Sequence, residues 1–163
     1  MGVTDVKKGF KPRTRINRRM LESFIGFLCD APAGEDGTGM SRWVYTSEVF
    51  PDIVIKIERR GKVFQNIVEY ETRTHVEHTW AAQFFAPVVD ISDCGRFLVM
   101  KRTKPVTMKT LRETTRVPVF LSDLKRTNYG LYKGRLVCHD YGINLLRTYG
   151  LGAKFKKAGW IDS

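Results

Sequence analysis

LSDLKRTNYGLYKGRLVCHDYG, residues 121–142, is the stretch on which the reading of this chain turns. Tyr129-Gly130-Leu131-Tyr132 and Arg135-Leu136-Val137-Cys138 flank Lys133-Gly134. Two short strand-forming runs around a two-residue turn predict a β-hairpin. A polar signature stands on either side: Asp123-Leu124-Lys125-Arg126-Thr127-Asn128 before it and Asp140-Tyr141-Gly142 after it. A hairpin brings its two ends together, so Asp123, Asn128 and Asp140 are expected at one end of it. Asp and Gly are also common turn residues. A surface hairpin with no chemistry is therefore the other reading of this stretch.

The whole chain sets limits on what that hairpin serves. Its 163 residues, 42% hydrophobic and 12% aromatic, are enough for about one domain with a real core. No apolar run approaches the roughly 18 residues that span a bilayer. The first twenty residues are basic and lack the apolar segment of a secretory signal. Cys29, Cys94 and Cys138 are odd in number and unevenly spaced, which fits neither a disulfide framework nor a zinc site. Free thiols in a reducing, cytoplasmic compartment are expected. Twenty-eight Lys and Arg against 17 Asp and Glu give a net charge of +11. Such a balance attracts nucleic acid, acidic protein surfaces or phosphates; a solvated basic face gives the same count.

Ahead of the hairpin, residues 1–16 read as a basic arm carrying Lys7, Lys8, Lys11, Arg13 and Arg15. Asn17 can cap a helix running through about Cys29, with Met20, Leu21, Phe24, Ile25, Phe27 and Leu28 on one broad face. Gly37, Gly39 and Val44 fit G-x-G-x-x-G-x-V, with Arg42 where the third Gly would stand. A Gly-rich turn lets backbone N–H groups approach phosphates, although Gly clusters are commonly plain loops. Pro51–Glu58 reads as a strand with Lys56 inside it, normally an exposed alternation position. Residues 63–75 read as a helix, with Ile67, Tyr70 and Thr74 inward and Glu69 or Glu71 available to a cation. His75 and His78 lie three apart, without an evident third metal ligand.

Residues 84–91 and 95–100 read as two strands around a turn at Ser92–Gly95, with Trp80, Phe84 and Phe85 as core aromatics. Residues 101–105 would be a hinge, and 107–116 one short helix. The tail 145–163 interleaves Trp160 with Lys154, Lys156 and Lys157. That is the composition of a single-strand binding surface and equally of an anchored basic terminus.

In order, the Gly-rich turn, Lys56, Glu69, Asp123 with Asn128, and Asp140-Tyr141-Gly142 resemble the active-site series of protein kinases. The resemblance covers roughly residues 34–145 and is closest in look to compact kinase-like proteins of bacteria and their phages. It implies an α+β fold with an antiparallel amino-terminal lobe over 31–100, one helix in it, and a reduced second lobe over 101–163. The helix at 17–30 would be an addition. The implied activity is Mg·ATP-dependent phosphotransfer of the Ser/Thr type.

Asp123 would be the base, with Lys125 near the transferring phosphate. Lys56, held by Glu69, would contact the α- and β-phosphates. Asn128 and Asp140 would bind magnesium, a metal that prefers oxygen ligands. ATP would further meet Gly37, Gly39 and Val44, and its base the backbone near Met100, Lys101 and Arg102. Leu121 and Ser122 replace the usual His-Arg before the catalytic Asp, and no A-P-E follows. The activation segment and peptide-docking platform would then be absent or rudimentary.

The implied partner is a protein substrate, in the host cytoplasm if the chain is phage-encoded. The alternative is a kinase-derived binding or inhibitor protein that no longer catalyses. It would grip a host protein or nucleic acid through its basic surface. No membrane association is expected.

Overall fold

A computed structural model describes residues 23, 42–59 and 64–162. The basic arm, the helix expected over 17–29 (Ser23 apart), and Gly37 and Gly39 lie outside the described residues. The chain divides into two compact units, Met1–Glu71 with Pro87–Arg102, and Thr72–Ala86 with Thr103–Ser163. The class is α+β, and every strand pairs antiparallel within its sheet.

The first unit is built on a four-stranded sheet of β1 (Arg42–Thr46), β2 (Ile53–Glu58), β3 (Val88–Ile91) and β4 (Phe97–Lys101), in the order β1-β2-β4-β3. Side chains alternate across a strand, so register decides which residues share a face. Ile55 lies opposite Tyr45 and Val99, and Ile57 opposite Trp43 and Phe97. These residues, with Ile53, form one apolar cluster. The other parity puts Arg42 opposite Glu58, and Lys56 opposite Val44 and Leu98. That second face meets α1 (Gln65–Val76) through side-chain hydrogen bonds. A lone Lys in a strand is usually wet, but the helix buries Lys56 to 3% exposure.

The buried side of α1 moves round its axis. Asn66, Ile67, Glu69 and Tyr70 are buried in its first turns, Thr72 and Val76 in its last. Thr74, placed inward by its spacing, is exposed for that reason. The strand expected from Phe84 begins only at Val88. Trp80–Phe84 is instead a 3₁₀ helix, started by Thr79, whose hydroxyl accepts from the Ala81 N–H at 3.2 Å.

The second unit contains α2 (Met108–Glu113), β5 (Arg116–Pro118), the hairpin β6 (Tyr129–Tyr132) and β7 (Arg135–Cys138), α3 (Leu146–Tyr149) and β8 (Phe155–Lys157). Thr107 caps α2 through the Thr110 N–H at 3.2 Å. The helix stops short of the expected Arg116, because that residue opens β5 and pairs with Lys157 of β8. Lys133 and Gly134 turn the hairpin at φ 49° and 78°. Left-handed conformation at both central positions is the turn type that matches strand twist.

Phe85, Phe120 and Tyr141 form the aromatic centre, with Phe85 stacked on Phe120 at 5.6 Å and edge-on to Tyr141 at 4.9 Å. Trp80 and Phe84 pack on Phe120 and Phe155. The tail is tied down: Trp160 donates to the Thr114 carbonyl at 2.9 Å and meets the Tyr129 ring edge-on. No helix among the described residues is long and apolar enough to cross a membrane.

Candidate functional site

In the first unit, β1, β2 and α1 converge on one carboxylate. Lys56 Nζ lies 3.1 Å and 3.0 Å from the two oxygens of Glu69. The Arg42 guanidinium spans the same two oxygens, Nη2 to Oε1 at 3.0 Å and Nη1 to Oε2 at 2.9 Å. Glu69 is fully buried and Arg42 only 4% exposed. Buried charge is tolerated only when it is paired, and here each ion supplies the other's partner. Burial alone would push the Glu69 carboxyl upward. Arg42 and then Lys56 outweigh it and hold the group at about 2.

Asn66, one turn before Glu69, links the cluster to its surroundings. Its side-chain amide donates to the carbonyls of Lys56 at 3.2 Å and Arg96 at 2.8 Å, and its Oδ1 accepts from Arg42 at 3.3 Å. Its backbone N–H donates to Glu58 Oε1 at 2.7 Å. Burial raises the Glu58 carboxyl to about 7; the Asn66 N–H and Arg42 pull against that rise.

In the second unit the hairpin joins the two polar signatures through Asn128. The Asn128 carbonyl accepts from the backbone N–H groups of His139 at 2.8 Å and Asp140 at 3.4 Å. Its side chain donates to the Asp123 carbonyl at 3.5 Å. Asp123, Asn128 and Asp140 thus share one small backbone frame. Buried Leu121 and Leu124 fix the chain around Asp123, while its carboxylate stays 37% exposed. Lys125 Nζ lies 3.9 Å from that carboxylate and is itself half exposed, so solvent screens the pair.

Asp140 is exposed at its side chain, and its carbonyl accepts from the Cys138 thiol at 3.2 Å. The next residue, Tyr141, is buried, and its hydroxyl donates to the Ala86 carbonyl at 2.8 Å. His139 adds two ties: Nε2 donates to the Thr127 carbonyl at 2.8 Å, and Nδ1 lies 2.8 Å from the Thr103 hydroxyl. Burial pushes the Tyr129 phenol well above its ordinary range, so it stays protonated.

The remaining expected residues are placed as follows. Val44 is partly buried, opposite Lys56. Met100 is buried in β4. The N–H groups of Lys101 and Arg102 already donate to the carbonyls of Pro87 and Asp52, at 2.9 and 2.8 Å. A base bound beside them would use other backbone groups. His75 and His78 are exposed. Among the described residues no three His, Cys, Asp or Glu side chains group as a metal site.

Were magnesium to bind here, the oxygens available to it would be the Asp140 carboxylate and Asn128 Oδ1. The latter remains as acceptor once Nδ2 is committed to Asp123. Magnesium commonly takes one or two protein oxygens and completes its shell with phosphates and water.

Asn66 and His139 were missed as site residues, and Arg42 was read only as the residue in place of the third Gly. Arg42 had a readable signal: it has the parity of Val44 in β1, and Val44 shares a face with Lys56. Asn66 stands three residues before Glu69, which places both on one side of a helix. His139 carried no signal beyond its position before Asp140. Comparison with models of known protein families and with curated proteins finds no match.

Proposed function

We propose that this chain is a Mg·ATP-dependent phosphotransferase with a reduced protein-kinase-like fold, acting on a Ser or Thr hydroxyl of a protein or of itself. The observation that carries the reading is the buried Lys56–Glu69 ion pair, joining a strand to a helix. It occurs in the same chain as an Asp123–Asn128–Asp140 frame joined by hydrogen bonds from the Asn128 side chain to the Asp123 carbonyl and from the Asp140 N–H to the Asn128 carbonyl. Phosphoryl transfer asks little covalent chemistry of a protein; it asks for position and charge.

Lys56 would neutralise the α- and β-phosphates, and Glu69 keeps its ammonium oriented. Asn128 and Asp140 would hold magnesium, which neutralises the β- and γ-phosphates when bound. Asp123 accepts the proton of the attacking hydroxyl as the oxygen forms its bond to γ-phosphorus and ADP leaves. Lys125 would meet the negative charge of the transferring phosphate. The exposure of both Asp carboxylates supports this division of labour, since each must reach a ligand.

One observation favours the second reading, a kinase-like binding protein without catalysis. Among the described residues, the α-helices lying wholly in the second unit are the short Met108–Glu113 and Leu146–Tyr149. They offer no long helical platform for a peptide. Incubation of cell lysate with γ-labelled ATP and either the wild-type chain or Asp123→Asn separates the two readings. New magnesium-dependent labelled bands with wild type only are expected. Magnesium-dependent ATP binding without any labelled product would replace the enzyme by the binding protein.

A further inference from the structure

A single Lys–Glu pair would hold a helix at one point. Here α1 is held differently. The Arg42 fork matches the Glu69 carboxylate with two parallel contacts of 3.0 and 2.9 Å. A planar guanidinium fixes both the distance and the plane of its partner, which a point-like ammonium does not. The same guanidinium reaches Asn66 Oδ1 at 3.3 Å, and Asn66 is bonded to the carbonyls of Lys56 and Arg96. Glu58, opposite Arg42 across β1 and β2, accepts the Asn66 N–H. The first turns of α1 are therefore fastened to β1, to β2 and to Arg96 by a connected set of buried polar contacts. Most of these pass through Arg42 or Asn66 rather than through Lys56.

We infer that Arg42 is a positioning residue that keeps Glu69 and the first turns of α1 seated independently of Lys56. Glu69 is then already placed before any nucleotide arrives, and Lys56 can exchange part of its contact for phosphate without releasing the helix. The role assigned to Lys56 rests on the phosphotransferase reading; the seating of Glu69 by Arg42 does not.

The test is backbone hydrogen exchange over residues 66–71 in the full chain, comparing wild type, Arg42→Gln and Lys56→Met. Arg42→Gln is expected to speed exchange there by about tenfold or more, with the hairpin amides of 129–138 unchanged; Lys56→Met is expected to change it less than about threefold. Equal effects, or a larger effect of Lys56→Met, would overturn the inference. Should Arg42→Gln fail to fold, Arg42→Lys decides. It keeps the charge without the fork, and exchange at least about threefold faster than wild type is expected; wild-type exchange would overturn the inference.

Kinetics supply a second readout. Arg42→Gln is expected to raise KM for Mg·ATP about tenfold while kcat falls less than threefold, because saturating phosphate re-orients Lys56. A fall in kcat with KM unchanged would contradict it. If the wild type transfers no phosphate, the phosphotransferase reading fails, and the exchange comparison still decides the role of Arg42.

Discussion

The two units treat their charged residues in opposite ways. In the first, Arg42, Lys56 and Glu69 are buried and answer one another directly, and buried Glu58 accepts from the Asn66 N–H beside them. In the second, the Asp123 side chain and Asp140 are exposed, and Asn128 ties both, its side-chain amide donating to the Asp123 carbonyl and its own carbonyl accepting from the Asp140 N–H. Charges buried among themselves are part of the fold, and removing the carboxylate that Arg42 and Lys56 share strands both cations. Charges hung on a hydrogen-bonded frame can be replaced without disturbing it. The first unit should therefore couple function to stability, and the second should separate them.

The largest effect is expected at Glu69. Glu69→Gln leaves Arg42 and Lys56 buried with a neutral acceptor and should cost about 3–5 kcal/mol, read by urea denaturation. A loss under about 1 kcal/mol would break the contrast at its strongest point.

Next comes pH. Glu58 carries a carboxyl raised from 4.5 to about 7 in the folded chain, so the folded state holds that proton more tightly than the unfolded one. Its contribution is full below pH 4.5 and declines as pH rises toward 7, by up to about 3 kcal/mol. Glu69, lowered from 4.5 to about 2, acts with the opposite sign: its contribution is present above pH 4.5 and is lost as pH falls toward 2. Thermal melts across pH 3–8 should peak near pH 4.5–5, and Glu58→Gln should flatten the alkaline side. A wild-type profile that is level between pH 5 and 7 would remove Glu58 from the account.

The second unit has its own rigid point, made by packing rather than charge. A Cβ at Gly130 would run into the Thr103 side chain and come within 2.8 Å of the Lys104 carbonyl oxygen. Gly130→Ala should cost about 1–3 kcal/mol; a neutral result would show that the segment beside the hairpin gives way. The smallest effect sharpens the comparison most. Asp140→Asn should change stability by no more than about 0.5 kcal/mol while abolishing magnesium-dependent transfer.

The hairpin was legible because its turn residues and flanking strands lie within ten positions of sequence, Tyr129–Cys138. Lys56 and Glu69 were legible as types in order, but not the burial of Lys56. That depends on α1 covering the sheet, a contact no local pattern encodes. Arg42 was read as a substitute in a loop, and its true place emerges from β1–β2 register. Phe84 looked like strand because it is aromatic, yet Thr79 and the packing of Trp80 start a 3₁₀ helix instead. Thr74 fitted a helical spacing that holds only while the buried side of α1 stays fixed, and it does not.

The most direct test of the central claim is γ-phosphate transfer by Asp123→Asn beside wild type, with Mg·ATP affinity and melting temperature measured on the same samples. The account predicts that transfer is lost while affinity changes less than about threefold and the melting temperature holds within about 2 °C. Transfer that survives the substitution, or that falls only in step with ATP affinity, would contradict it.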